Sequence, residues 1–304
     1  GYAITDSTSS LGPRRRFLKT LVGSAALLAS CQLPLLATGK KFKISLAEWS
    51  LHRALFAKEI DHLDFPRVAR SFDLDAVEYV STFFKDRITD SSYLAEMRTR
   101  ADAEGVQSLL IMCDGYGHLG NPDAKARRTA VENHFPLLDA ARSLGCHSIR
   151  VNAASSGSFE EQQKLAADGL AQLAEAGAKK NLQVIVENHG GLSSNGAWLA
   201  GVMEAVGMEN CGTLPDFGNF QLEKDVWYDR YQGVAELMPF AKAVSAKTHD
   251  FDANGWEVHT DYSKMMRIVL NAGYHGYVGI EYEGKVHPEM DGIRLTRDLL
   301  RHYQ

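Results

Sequence analysis

The sequence predicts a (β/α)8 barrel behind an N-terminal targeting segment. From residue 43 onward, short apolar runs alternate with amphipathic stretches, and eight of each can be counted. Residues 43–304 also match the roughly 250 residues typical of that fold. No linker, charge block or low-complexity tract divides them. A doubly wound sheet is the competing arrangement, but no Gly-x-Gly-x-x-Gly follows any of the apolar runs. The expected organisation is therefore a targeting segment over residues 1–39 and one barrel domain over 40–304.

The strand-like runs are Lys43–Ser50, Ala76–Val80, Gln107–Asp114, Ser148–Ala153, Gln183–His189, Cys211–Asn219, Ala243–Asp252 and Tyr277–Gly284. Each is short and rich in apolar residues, as expected for parallel strands buried on both faces. The helical stretches between them carry apolar positions three and four residues apart. In the third, Val131, Phe135, Leu138 and Ala141 make one continuous face. In the fourth, Ala166, Leu170, Leu173, Ala174 and Gly177 oppose Glu160, Glu161, Lys164, Asp168 and Glu175. Phe65–Phe72, Tyr93–Glu104, Asn195–Val206, Arg230–Phe240, Tyr262–Ala272 and Asp291–Tyr303 supply the other six.

A formal net charge of -5 disfavours nucleic acid as a partner, because phosphate binding needs a basic footprint. One short basic cluster does stand near the N-terminus. Arg14-Arg15-Arg16-Phe17-Leu18-Lys19 precedes an uncharged run from Thr20 to Gly39, which resembles a twin-arginine export signal and implies a periplasmic location. Leu28-Ala29-Ser30-Cys31 also resembles a lipoprotein processing site. Either Cys31 carries a lipid, the one membrane contact expected, or cleavage falls near Ala37. The remaining cysteines, Cys113, Cys146 and Cys211, lie beside apolar runs without Cys-x-x-Cys spacing and read as core thiols.

The polar residues that end the later strands carry the chemistry. Glu187, Asp216, His249 and Glu281 close the fifth to eighth runs, each about one β/α unit after the last. A barrel brings such positions onto one rim. Three carboxylates and an imidazole suit a divalent cation, with Mn²⁺ first and Co²⁺, Mg²⁺ or Zn²⁺ as alternatives; without thiolate ligands a structural zinc is not expected. His189 and His259 are alternative imidazoles. Lys247 shares a strand face with His249 and is placed either to bind a substrate oxygen or to pair with Asp216. Further substrate-binding candidates are His189, Glu78 as the end of the second strand, His118 in the loop after the third, Asn152 as the end of the fourth, and Trp49 and His52 after the first. Together they offer a small-molecule carbohydrate hydrogen bonds over an aromatic wall.

Val186-Glu187-Asn188, Leu214-Pro215-Asp216-Phe217-Gly218-Asn219, Lys247-Thr248-His249-Asp250 and Gly276-Tyr277-Val278-Gly279-Ile280-Glu281-Tyr282 resemble the xylose-isomerase-like TIM barrels, the sugar phosphate isomerase/epimerase family. The resemblance extends over most of residues 43–304. It implies that Glu187, Asp216, His249 and Glu281 bind one catalytic metal and that Glu187 and Glu281 serve as the acid/base pair. The ketose epimerases of that family carry a histidine where this chain has Asn219 and an arginine where it has Gly255, so the substrate contacts differ.

The expected reaction is a metal-dependent isomerisation or epimerisation of a sugar, in which a proton moves next to a carbonyl through an enediolate. One alternative is a metal-dependent lyase or hydratase that acts on 3-keto-glycosides by β-elimination, with His118, His52 or Glu283 as the acid for the leaving group. A second is a catalytically silent periplasmic sugar-binding protein.

Overall fold

The fold is that of a computed structural model, which describes residues 39–304; the twin-arginine motif and Cys31 lie outside the described residues. One compact unit covers Lys40–Gln304. Its first six strands are β1 Lys43–Ala47, β2 Ala76–Val80, β3 Gln107–Met112, β4 Ser148–Val151, β5 Gln183–Glu187 and β6 Cys211–Leu214. A small antiparallel hairpin, β7 Gln221–Glu223 with β8 Val226–Trp227, precedes β9 Val244–Thr248 and β10 Tyr277–Tyr282. The parallel sheet runs β6-β5-β4-β3-β2-β1-β10-β9, so the last strand pairs with the first. The seam between β6 and β9 is bridged by Thr213 with Ala241 and by Asp216 with Ser245. There the Lys242 N–H donates to the Thr213 carbonyl and the Ser245 N–H to that of Pro215, each at 2.9 Å. This is the (β/α)8 barrel that the alternation predicts.

The helices are α1 His52–Phe56, α2 Phe65–Ser71, α3 Ser91–Ala103, α4 Ala124–Asn133, α5 Phe135–Leu144, α6 Phe159–Ala178, α7 Gly196–Val206, α8 Arg230–Leu237, α9 Tyr262–Asn271 and α10 Glu289–Arg301. Their starts follow local chemistry. The side chains of Asp90, Asp123, Asn195, Asp229 and Asp261 each accept a backbone N–H at a helix N-terminus. Ser158 and Glu161 form a reciprocal capping box on α6. The continuous face expected over Val131 to Ala141 is divided between two helices. Pro136 cannot donate to the carbonyl one turn back, so α4 stops and α5 begins on either side of His134. Among the described residues no helix is long and apolar enough to cross a membrane, and Cys113, Cys146 and Cys211 are free and buried.

Seven strands end two or more residues before the predicted runs do; β2 alone keeps its predicted bounds. Their polar tails leave the sheet and become the loops over its C-terminal face. Within the strands, period-two alternation separates two environments. Ile44, Leu46, Val77, Tyr79, Ile149, Val151, Val184, Val186, Val244, Ala246, Val278 and Ile280 pack outward with the helices in the main core. The other face contributes a smaller apolar cluster, with Ala47, Val80, Leu110, Met112, Ile185 and Leu214. Interleaved with it, the barrel interior is unusually polar: Ser45, Glu78, Arg150, Glu187, Ser245, Lys247 and Glu281 are all buried.

Glu78 occupies the middle of β2 rather than its end, and its carboxyl accepts from Ser45 Oγ at 3.1 Å. Gly279 makes room for it, since a Cβ there would stand 2.1 Å from Glu78 Oε2. Burial, reinforced by the negative charge of Glu281, raises the Glu78 pKa from 4.5 to about 8, against the opposing pull of Ser45 and Arg150.

Two loop clamps set the rim. The buried Glu257 carboxylate accepts the backbone N–H groups of His249 at 2.8 Å, Asp250 at 3.1 Å and Thr260 at 3.0 Å, and also that of His259. The Asn188 side chain accepts the Asp216 N–H at 2.8 Å and donates to the carbonyls of Asp216 at 3.0 Å and Asn219 at 3.2 Å. The segments after β5 and β6 are thereby fixed to one another, and the long loop after β9 is fastened upon itself.

Two predictions follow from these groups. Between pH 4.5 and about 8 the unfolded chain releases the Glu78 proton while the folded chain keeps it. Stability due to this group is therefore complete below pH 4.5 and declines as pH rises toward 8, by up to about 1.4 kcal/mol per pH unit. Urea unfolding of Glu78→Gln across that range is expected to show the variant gaining on the wild type as pH rises; parallel pH profiles would contradict the assignment. Glu257→Ala leaves several backbone donors without an acceptor and should cost about 3 kcal/mol in the same measurement.

Candidate active site

The C-terminal ends of β2, β3, β4, β5 and β10, with the turn after β1, enclose a cavity of about 250 Å³, lined by Trp49, Val80, Met112, Asp114, Arg150, Glu187, His189, Glu281 and Glu283. It is smaller than the ~300–1,000 Å³ of drug-sized sites and suits a molecule of monosaccharide size. A larger groove among Arg128, Phe135, Gln172 and Lys179 is lined by the outer helical layer and lies away from the strand ends. Trp49 supplies the aromatic wall. Its indole stacks on His52 with ring centroids 4.6 Å apart and approaches Phe83 at 5.9 Å.

At the cavity floor, one oxygen from each of Glu187, Asp216 and Glu281 lies within 4.8 Å of the other two. All three carboxylates are buried. Asp216 Oδ1 accepts the N–H groups of Gly218 at 2.8 Å and Asn219 at 2.9 Å, which turns the chain sharply after β6. Glu187 Oε1 and Asp216 Oδ2 are buried without a hydrogen-bond partner. Oxygens of this kind call for a nearby positive charge, and the triad could hold a metal ion.

Two side chains of the protein already bring positive charge to these oxygens. Lys247 Nζ lies 2.9 Å from Glu281 Oε1, 2.7 Å from Glu283 Oε1 and 3.5 Å from Asp216 Oδ2. It also donates to Asn219 Oδ1 at 3.1 Å. Arg150 Nε lies 3.1 Å from Glu187 Oε1, and Arg150 Nη1 donates to Asp114 Oδ1 at 2.8 Å. Asn219 ties the two groups together, because its Nδ2 donates to Glu187 Oε2 at 3.2 Å.

The electrostatics separate the two glutamates. Burial lifts the Glu187 carboxyl well above its usual range; the Arg150 guanidinium pulls it back, while the charges of Glu281 and Asp216 raise it further. Burial acts on Glu281 in the same sense, but the Lys247 ammonium outweighs it and keeps that carboxyl below the ordinary range. Burial works against the Lys247 ammonium too, yet the carboxylates of Asp216, Glu281 and Glu283 hold it protonated.

The expected fourth ligand is not part of the carboxylate group. His249 lies beyond the end of β9, half-buried, with its ring edge-on to His259 at 6.1 Å. Burial and the Lys247 ammonium both disfavour its charged form. Lys247 is the β9 residue at the level of the carboxylates, directly in register with Glu281. A protonated lysine has no lone pair for a metal. The residues present thus provide three oxygen donors and an ammonium rather than the four-ligand centre expected from the sequence.

The other candidates divide. Trp49 and His189 line the cavity, and Asn152 supports His189, with Asn152 Oδ1 3.2 Å from His189 Nδ1, while also donating to Asp114 at 2.8 Å. Lys247 and Glu78 lie among the buried groups behind the lining. His52 stacks behind Trp49 and faces Glu289 at 3.4 Å; His118 is exposed in the loop after β3; neither lines the cavity. His259 pairs with Asp250 at 2.8 Å. Sequence reasoning passed over Arg150 and Asp114. An arginine between Ile149 and Val151 in a strand buried on both faces was the available signal.

Comparison with known proteins agrees with the geometry. The model of the xylose isomerase-like TIM barrel family matches residues 66–303. No curated protein matches the chain at a significant level. Among solved structures, 3-keto-D-glucoside 4-epimerase from E. coli superposes with a TM-score of 0.64 at 15% identity, covering 87% of this chain and 100% of that one. D-Psicose 3-epimerase with D-tagatose, from Clostridium cellulolyticum H10, gives 0.67 at 11% identity over 86% and 99%. A xylose isomerase-like TIM barrel protein from Mycobacterium smegmatis in complex with magnesium gives 0.64 at 16% identity over 87% and 98%. These likenesses establish the fold. With the family model spanning nearly the whole barrel, the chain belongs to the xylose isomerase-like TIM barrel family.

Proposed function

We propose that the chain is a sugar isomerase or epimerase that moves a proton next to a carbonyl. The observation that carries this reading is the pair of buried carboxylates, Glu187 from β5 and Glu281 from β10, that converge on one cavity at the strand ends. Glu281, paired with Lys247, takes the proton from the carbon beside the carbonyl. Glu187 returns one, to the opposite face of that carbon in an epimerisation or to the neighbouring carbon in an isomerisation. Trp49 covers an apolar face of the sugar, and His189 and Asp114 meet its hydroxyls. Relatives in fold that are named as epimerases of free and oxidised sugars support the class. Glu187, Asp216 and Glu281 are the residues that would hold the divalent ion of the sequence expectation, but an ammonium and not an imidazole faces them.

One observation favours elimination as a second outcome of the same enolate. Glu283 lines the cavity and pairs with Lys247, and burial together with the Glu281 charge raises its pKa. It is the one of the three expected leaving-group acids that reaches the cavity. The twin-arginine motif supports export as the route to a periplasmic sugar substrate.

Proton NMR of the purified protein in D₂O, with free ketoses and 3-keto-glycosides, tests these readings. Deuterium entering beside the carbonyl with a new sugar isomer is the expected result. Release of the aglycone would assign the lyase, and no exchange with any sugar would leave a binding protein. Glu187→Gln and Glu281→Gln should each slow exchange by about 10²–10⁴-fold, while sugar binding, followed by calorimetry, persists.

A further inference from the structure

We propose that the positive charge which the family resemblance assigns to a divalent ion is supplied here by the chain itself, with Lys247 as fixed counter-cation and Arg150 as the group that meets the substrate's carbonyl oxygen. The catalytic half of this proposal rests on the proton-transfer reading above; the Lys247 half rests on the site alone.

Lys247 is in register with Glu281 on the neighbouring strand, so the seventh barrel strand presents an ammonium at the height of the triad. The Lys247 side chain is 4% exposed, and its ammonium touches Asp216, Glu281, Glu283 and Asn219. Its position is tightly defined: Gly218 passes so close that a Cβ there would stand 2.9 Å from Lys247 Cγ, and the Tyr262 hydroxyl holds the Lys247 carbonyl at 2.6 Å. Lys247 and Arg150 set two fixed positive charges against the triad, the amount of positive charge that a divalent ion would bring. An added ion at the triad would have to displace the ammonium or share its carboxylates with it, and two like charges within a few ångströms in a buried site repel strongly.

Arg150 does what Lys247 cannot, because it lines the cavity. Its side chain is 5% exposed, yet its Nε has no well-formed hydrogen bond. A guanidinium held between Glu187 and Asp114 presents a fixed, permanently charged donor to an oxygen that becomes negative. In the step, the C–H electron pair becomes the carbon–carbon double bond as Glu281 takes the proton. The carbonyl π pair moves to oxygen, where Arg150 meets the charge. Protonation of carbon by the Glu187 carboxylic acid reverses the electron flow, and solvent restores both carboxyls; no oxidant or reductant enters.

The test is Mn²⁺ binding to the purified full chain, read by electron paramagnetic resonance and by the thermal midpoint, for the wild type and Lys247→His. The wild type is expected to retain no Mn²⁺ after gel filtration and to show no midpoint shift on adding Mn²⁺ or EDTA. Lys247→His removes the ammonium and adds an imidazole, and is expected to gain a bound-Mn²⁺ spectrum and a midpoint that rises with Mn²⁺. A wild type that holds one Mn²⁺ per chain and loses stability when EDTA removes it overturns the proposal, whether or not the variant folds. For the catalytic half, carbon-bound deuterium exchange by the wild type should be unchanged by EDTA and lost in Arg150→Gln. Exchange abolished by EDTA and restored by Mn²⁺ overturns that half. A wild type that neither binds Mn²⁺ nor exchanges any sugar proton sustains Lys247 as counter-cation and rejects the proton-transfer reading.

Discussion

A lysine ammonium buried among carboxylates is the interaction on which the rest of the site depends. Lys247 lies within ion-pair distance of Asp216, Glu281 and Glu283, and these carboxylates offset the cost of burying its ammonium. Buried ion networks seldom add net stability over a well-packed apolar interior. A barrel that keeps Glu187, Asp216, Glu281, Arg150 and Lys247 in its centre gains little stability from them, which supports the catalytic roles proposed for them.

Much of the surrounding structure serves to hold that network in place. The outer faces of the strands form the main apolar core with the helices, which leaves the inner faces free to be polar. Asn188 fastens the turn after β6, Glu257 gathers the backbone after β9, and Asn219 joins Glu187 to Lys247. Each is a short polar side chain that satisfies several partners at once, so the loops over the cavity are positioned by hydrogen bonds where little apolar surface is available.

Glu187, Asp216 and Glu281 were legible in the sequence because each follows an apolar run at the same point of a β/α unit. Trp49 and His189 were legible for a related reason, as aromatic and polar residues just beyond a strand. Arg150 was not, since it lies inside a strand and resembles no strand-end signal. The break at His134 was obscured by an apolar periodicity that continues through it, although Pro136 marks the place.

The sequence by itself determined the number of barrel strands, though not the β7–β8 hairpin, and with it the faces their residues share and the carboxylates that meet at the rim, because these follow from period-two alternation and from the regular length of the β/α unit. Only the tertiary structure decided which cation meets the carboxylates. Lys247 and His249 lie on the same side of one strand, and alternation cannot tell them apart. Alternation gives the direction of a side chain, whereas its height in the barrel is set by the register between neighbouring strands. That register puts Lys247 beside Glu281 and leaves His249 above, in the loop held by Glu257.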